Sequence, residues 1–351
     1  MILAGDIGGT KINLALYDWN KERVDPIRED SVWTADYESL EEVLTEFLEE
    51  PPSTKSDSDE NLEEIDDSST KSPSTESPVT AACFGVPGPV LNNTCRTTNI
   101  PWTIEGDKLA EFLHIPQARL LNDLESTGYG LQLLRPDEIE DLNPDAPSPP
   151  PDGTRALLAA GTGLGESLIL WTENGYQICV SEGGHADFAP NNDLEIELLR
   201  YLRTSYLHVS YERVLSGPGL HLIYQFLRDT QKNEPTWFAE KLPTGDPATL
   251  IAEAGLEGKP DICKNALQLF VSIYGAEAGN LALKTLAMGG VYIGGGIAPK
   301  ILPALQNGIF MKSFLAKGRY KRLLGKIPVR VILNPRTALL GAASVAAGMT
   351  A

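Results

Sequence analysis

Three short stretches carry the side chains best suited to chemistry. In Ala118-Arg119-Leu120-Leu121-Asn122-Asp123-Leu124-Glu125 an apolar strand pattern ends at Asn122 and a helical pattern follows, which puts Asp123 at a helix N-terminus. The helix dipole and free N–H groups there keep a carboxylate ionised, as a general base toward a hydroxyl must be. An Asp in that position is also an ordinary helix cap, and taken alone that role is the commoner one. Ser181-Glu182-Gly183-Gly184-His185-Ala186-Asp187 sets a carboxylate and an imidazole on either side of two glycines, which leave room for a ligand with adjacent hydroxyls. No cysteine group follows His185 closely, so a four-ligand zinc site has no support. Glu212, next to Arg213, and Asn99, before Ile100-Pro101-Trp102, could add hydroxyl partners; an ion pair and a turn are their plainer readings.

Glycine turns accompany these groups. Ile2 to Ile7 reads as a buried strand, Gly8-Gly9-Thr10 as a tight turn, and Ile12, Leu14 and Leu16 as the alternate residues of a returning strand. Ala156 to Ala160, the turn Gly161-Thr162-Gly163-Leu164-Gly165 and Leu168 to Trp171 repeat the device about half a chain later. The repetition predicts a duplicated α/β architecture with a cleft between the halves, each half supplying one glycine turn. A dinucleotide fingerprint or a P-loop needs a strand leading directly into a helix, and neither turn does that. A third cluster, Gly294-Gly295-Gly296, follows the short apolar run Val291 to Ile293 and precedes Pro299, which suits the first turn of a helix. Its backbone could approach a flat ring closely, or simply pack a helix on a strand.

Composition bounds the rest. The chain has 351 residues, 42% of them hydrophobic, with 29 basic against 48 acidic side chains and a formal charge of −19. That length suggests about two domains, each with its own core. So acidic a surface repels nucleic acid and anionic lipid, and any phosphate must be held locally by backbone N–H groups or a cation. Residues 51–78 are nearly all Ser, Thr, Asp, Glu, Lys and Pro and read as a disordered acidic insertion; Pro144 to Gly153 reads as an exposed connector. A helix is expected from Asp193, with Leu194, Leu198 and Leu202 on its packed face. Cys83, Cys95, Cys179 and Cys263 stand singly, as reduced thiols would. No export signal or apolar run of membrane-spanning length is visible, which leads to the expectation of a cytoplasmic protein.

Taken in order, the motifs Gly5-Asp6-Ile7-Gly8-Gly9-Thr10, Asn99 with Ile100-Pro101-Trp102, Asn122-Asp123, Gly161 to Gly165, Glu182 to Pro190, Glu212 to Gly217 and Gly294-Gly295-Gly296 resemble bacterial glucokinases. The resemblance implies duplicated actin-like ATPase (ribonuclease H-like) domains flanking a central cleft. The small domain would comprise 1–133 plus 334–351 and the large one 134–333. It implies phosphorylation of glucose at the 6-hydroxyl by ATP, with Asp123 as base and Asn99, Asn122, Asp123, Glu182, His185 and Glu212 around the sugar. Asp6, Gly8, Gly9, Thr10, Lys11, Gly161, Thr162, Gly163, Gly294, Gly295 and Gly296 would face the nucleotide, Asp6 also orienting Mg²⁺ through water. A homodimer is implied as well. A kinase for another hexose or an amino sugar, and a non-catalytic sugar sensor, are the competing readings.

Overall fold

The computed structural model describes residues 1–19, 25–49, 79–96, 100 and 102–350. Asn99 and the 51–78 insertion fall outside the described residues. The chain forms two compact units, Met1–Leu133 with Ala338–Ala351, and Leu134–Thr337. Residues 334–337 therefore belong with the second unit, not with the returning C-terminal segment as expected.

The first unit opens with β1 (Ile2–Ile7), β2 (Lys11–Tyr17) and β3 (Arg28–Trp33), followed by α1 (Leu40–Glu49) and β4 (Ala81–Val86). Three short strands, β5 (Val90–Leu91), β6 (Thr94–Arg96) and β7 (Thr103–Glu105), make a small antiparallel sheet before α2 (Gly106–Leu113), β8 (Ala118–Asn122) and α3 (Asp123–Gly130). The main sheet has the order β3-β2-β1-β4-β8, with β1, β4 and β8 parallel and β2 and β3 antiparallel. Leu40, Val43, Leu44 and Phe47 of α1 are buried at helical spacing against one face of this sheet.

The second unit repeats this order. After β9 (Ile139–Asp141) come β10 (Arg155–Ala160), β11 (Leu164–Thr172) and β12 (Gly175–Ser181). The helices α4 (Asp193–Leu202), α5 (Gly217–Gln231), α6 (Thr236–Lys241), α7 (Pro247–Glu257) and α8 (Asp261–Thr285) follow, then β13 (Gly290–Gly294). Short helices α9 (Leu302–Gln306), α10 (Ile309–Phe314) and α11 (Lys321–Leu324) lead to β14 (Val329–Ile332). The sheet order is β12-β11-β10-β13-β14-β9, so its first five strands match those of the first unit in sequence order and direction. Only β9, on the far edge, has no counterpart.

The long helix α8 is apolar on most of its circumference because it runs through the centre of this unit's core. Phe270 and Tyr274 are fully buried there, with Tyr274 in edge contact with both Phe270 and Phe310. Truncating such a ring to alanine costs about 3–5 kcal/mol. On α4, Leu198 and Leu202 are buried as expected, but Leu194 is 38% exposed. Asn192 caps the helix and Glu195 turns inward, accepting from Asn191 N at 2.6 Å and Asn192 Nδ2 at 2.8 Å, so the first turn is organised by its cap and not by apolar packing.

The chain returns to the first unit as α12 (Thr337–Gly348), which packs on α3. The approach is so close that a Cβ on Gly341 would lie 1.8 Å from the Ser126 carbonyl oxygen, while Ser126 Oγ donates to the Ala338 carbonyl at 2.7 Å. Helix α12 thereby fixes the helix whose first residue is Asp123. Pro144 to Gly153 carries no helix or strand and is largely exposed.

Candidate active site

In the first unit the β1–β2 hairpin closes with Gly8 N donating to Lys11 O at 2.8 Å, and Thr34 Oγ1 holding Gly8 O at 2.8 Å. Gly9 and Thr10 are exposed at the tip. The Lys11 ammonium lies 4.5 Å from the Trp33 ring centre. Asp6 stands just before this turn, opposite Asn13, whose Nδ2 is 3.4 Å from its Oδ2. Burial, and then the negative charge of Asp123, outweigh that contact and raise the Asp6 carboxyl to about 6.

Asp123 is the exposed first residue of α3. The cap of that helix is Asn122, not Asp123: Asn122 Oδ1 accepts from Leu124 N at 3.0 Å, and its Nδ2 donates to Gly88 O at 3.0 Å. Both ends of the Asn122 amide are thus engaged with backbone. Asp123 Oδ1 also accepts from Leu124 N, at 2.9 Å.

In the second unit Glu182, His185 and Glu212 converge. A single tight turn over Gly183–His185 places His185 Nε2 3.9 Å from Glu182 Oε2 and His185 Nδ1 4.0 Å from Glu212 Oε1. These gaps are too long for hydrogen bonds, so the three polar groups point into one patch without saturating one another. Glu212 is anchored through its other oxygen, Oε2, which accepts from Leu164 N at 3.0 Å. A Cβ on Gly163 would sit 2.6 Å from that oxygen, so glycine is needed there for Glu212 to reach the strand. Arg213, the ion-pair partner its neighbouring position offered, stacks over Tyr206 instead. Backbone bonds from Glu212 N to Gly184 O, 2.8 Å, and Tyr211 N to Ala186 O, 2.9 Å, tie the two segments together.

Beside this patch the second unit has a cavity of about 710 Å³, whose walls include Gly161, Thr162 and Gly296. Gly217 N donates to Gly161 O at 2.9 Å, joining the β10–β11 turn to the start of α5. Gly295 has φ +81, and a Cβ there would lie 2.2 Å from Ala160 O, so only glycine lets the loop fold back on β10. Gly294 is buried within β13. Sequence reading missed the cavity's other polar groups, His221, Asp246 and Lys300, and its apolar walls at Leu220, Ala252, Ile297 and Ile301. Asp246 did carry a local signal, a cap before Pro247, and it accepts from Thr249 N at 2.8 Å; nothing local says that this helix start faces a cavity.

Among the described residues no cluster of three or more His, Cys, Asp or Glu could hold a metal by itself. Asp6 nonetheless suits a hard cation: a half-buried carboxylate whose charge is disfavoured by desolvation and by Asp123 would be relieved by a divalent ion. Among the described residues no helix is long and apolar enough to cross a membrane.

The family model described as glucokinase matches residues 3–349. A glucokinase of a Nostoc species is 42% identical over 364 aligned positions, covering 99% of both chains. Among solved structures, a glucokinase from an Antarctic psychrotroph superposes with TM-score 0.78 at 26% identity, covering 99% of this chain and 98% of that one. A Balamuthia mandrillaris glucokinase in complex with glucose superposes with TM-score 0.76 at 22% identity, covering 99% and 93%. With a duplicated sheet, two strand–glycine–strand turns and a match along almost its whole length, the chain has the actin-like ATPase fold and belongs to the glucokinase family.

Proposed function

We propose that this chain transfers the γ-phosphoryl group of ATP to the 6-hydroxyl of glucose, with Asp123 accepting the hydroxyl proton. The observation that carries the reading is the convergence of Glu182, His185 and Glu212: each glutamate comes within about 4 Å of His185 without a hydrogen bond to it. Each takes a sugar hydroxyl, and a missing or inverted hydroxyl leaves a polar atom unpaired, which discriminates strongly between sugars. Asn99 and Asn122 complete the sugar contacts in this reading, Asn122 chiefly by capping the helix that presents Asp123.

The cavity beside Gly161, Thr162 and Gly296 takes the nucleoside: its apolar walls suit the base, and His221, Asp246 and Lys300 suit the ribose and phosphates. In this reading each glycine turn offers backbone N–H groups to phosphate, Gly9 and Thr10 with Lys11 in the first unit and Thr162 and Gly163 in the second, while the Gly8 and Gly161 N–H groups close their turns and Gly294 and Gly295 shape the loop beside the cavity. Asp6 would hold Mg²⁺, which would supply neutralisation of the charge spreading over the transferred group. Asp123 orients the 6-hydroxyl and removes its proton as the new phosphorus–oxygen bond forms, a contribution of typically 10²–10⁴-fold. A homodimer and a cytoplasmic location complete the reading, and sedimentation of the purified chain tests the first.

Coupled detection of glucose 6-phosphate with wild type and Asp123→Asn tests the assignment. The variant is expected to lose about 10²–10⁴-fold in kcat with little change in glucose KM. Near-full turnover would remove Asp123 from the role. Mannose, fructose and N-acetylated hexoses, run in the same assay, test the choice of sugar.

A further inference from the structure

Two acids that the reaction does not use are sealed inside the second unit. Glu166 of β11 is 2% exposed and Glu277 of α8 is 0% exposed. Their carboxyls lie within hydrogen-bonding reach of each other. Glu277 is otherwise well held, by Lys284 Nζ at 3.3 Å on Oε1 and Asn280 Nδ2 at 2.7 Å on Oε2. Oε1 of Glu166 has no hydrogen-bond partner among the described residues. Burial and the neighbouring negative charge both work against a charge on Glu166, which therefore keeps its proton to a higher pH than an exposed glutamate does. Burial first, then the charge of Glu277, lifts Glu166 to about 7, with Lys284 opposing.

The pair sits directly behind the hydroxyl-binding patch. A Cβ on Gly183 would lie 2.3 Å from Glu166 Oε2, so this carboxyl backs the turn that carries Glu182 and His185. Ser181 Oγ links the same two places, donating to Glu166 O at 2.9 Å and accepting from Gly183 N at 3.2 Å. On the other side Asn280 Nδ2 reaches Tyr211 Oη at 2.9 Å, and the residue after Tyr211 is Glu212. All three patch residues therefore rest, through one or two contacts, on the same buried group.

We propose that Glu166 is a positioning residue for the sugar: its carboxyl, joined to Glu277 by a hydrogen bond, braces the Gly183–His185 turn and holds Glu182 and His185 in the geometry that grips hydroxyls. The inference rests on the reading of Glu182, His185 and Glu212 as the sugar contacts. While the pair shares a proton, its O–H donates to the partner carboxylate and the turn lies against a neutral group. Loss of that proton sets two like charges side by side, and because Glu166 Oε2 already lies against Gly183, a shift of that carboxyl is passed to the turn. The charged and titratable groups facing the pair are Glu277 and Lys284 from α8 and Tyr211 from the segment before α5. Lys317, which bonds Asn280 Oδ1 at 2.5 Å, and Glu195 of α4 lie one contact further out. The two lysines moderate the repulsion without removing it. Sugar affinity is then full below about pH 7 and falls as pH rises through that value.

The test is glucose KM and kcat of the full chain, measured from pH 6 to 9 at saturating MgATP, for wild type, E166Q, E277Q and H185A. Wild-type KM is expected to climb by up to about tenfold per pH unit above 7, with no matching fall in kcat. E166Q presents a neutral amide donor at every pH and should keep the low KM throughout. E277Q removes the like charge from the same pair and should also flatten the profile, so the test does not depend on one variant folding. A flat wild-type KM, or a slope that survives in both amide variants, overturns the positioning role. H185A should raise KM at every pH; a wild-type KM in H185A would instead overturn the sugar-contact reading on which the proposal rests.

Discussion

Replacing Asp6 by asparagine should make the unliganded protein more stable while removing its activity. In the folded chain burial and the charge of Asp123 lift this carboxyl to about 6, against 3.8 for an ordinary aspartate. Between those values the folded state holds a proton that the unfolded chain has released, so stability falls as pH rises from about 4 to about 6 and stays reduced above that. The gap corresponds to about 3 kcal/mol of lost stability at pH 8 and to only about 0.6 kcal/mol at pH 4. Asparagine keeps the acceptor that Asn13 faces and has no charge to bury, so Asp6→Asn should recover most of that loss at pH 8. For a unit of this size the thermal midpoint should rise by about 6–12 °C at pH 8 and by about 1–2 °C at pH 4. Calorimetry on the metal-free protein at both pH values reads the effect directly. An unchanged midpoint at pH 8, or the same gain at both pH values, would refute the claim that Asp6 is held against its own charge. Turnover should collapse in the same variant, since the strain on Asp6 is what a cation relieves.

Other perturbations probe the supports of the site. Gly341→Ala forces a methyl group toward the Ser126 carbonyl and should destabilise the protein by about 1–3 kcal/mol or more, lowering kcat as α3 shifts; denaturant unfolding and the coupled assay check both effects. Asn122→Ala removes the cap of α3 and should lower stability by about 1 kcal/mol in the same unfolding assay. Glu212→Ala should raise glucose KM by at least about tenfold, the loss of a hydrogen bond to a charged group, while ATP KM changes little; steady-state kinetics decides. Removing divalent cations with a chelator should abolish glucose 6-phosphate formation, and adding Mg²⁺ back should restore it.

Much of this was legible in the sequence because it is local. Alternating apolar residues on both sides of a glycine turn announce the β1–β2 and β10–β11 hairpins, and their recurrence announces the duplicated sheet. Asp123 was placed at its helix start by the end of one apolar run and the beginning of another period. Sequence did not show that Asn122 would take the cap, because either residue type caps well and only the backbone angle of Asn122 decides. Nor could it bring Leu220, Asp246 and Lys300 to one cavity, since they come from different helices and turns brought together by packing on α8 and the sheet. The Glu166 and Glu277 pair was invisible for the same reason: an alternating strand pattern gives no warning that an inward-facing acid will meet another acid from a helix.

In a crystal structure with glucose and a non-hydrolysable ATP analogue, sugar hydroxyls are expected on Glu182, His185 and Glu212, with the 6-hydroxyl oxygen about 2.6–3.2 Å from the Asp123 carboxylate. Glucose bound without those contacts, or with its 6-hydroxyl turned away from Asp123, would contradict the proposed function.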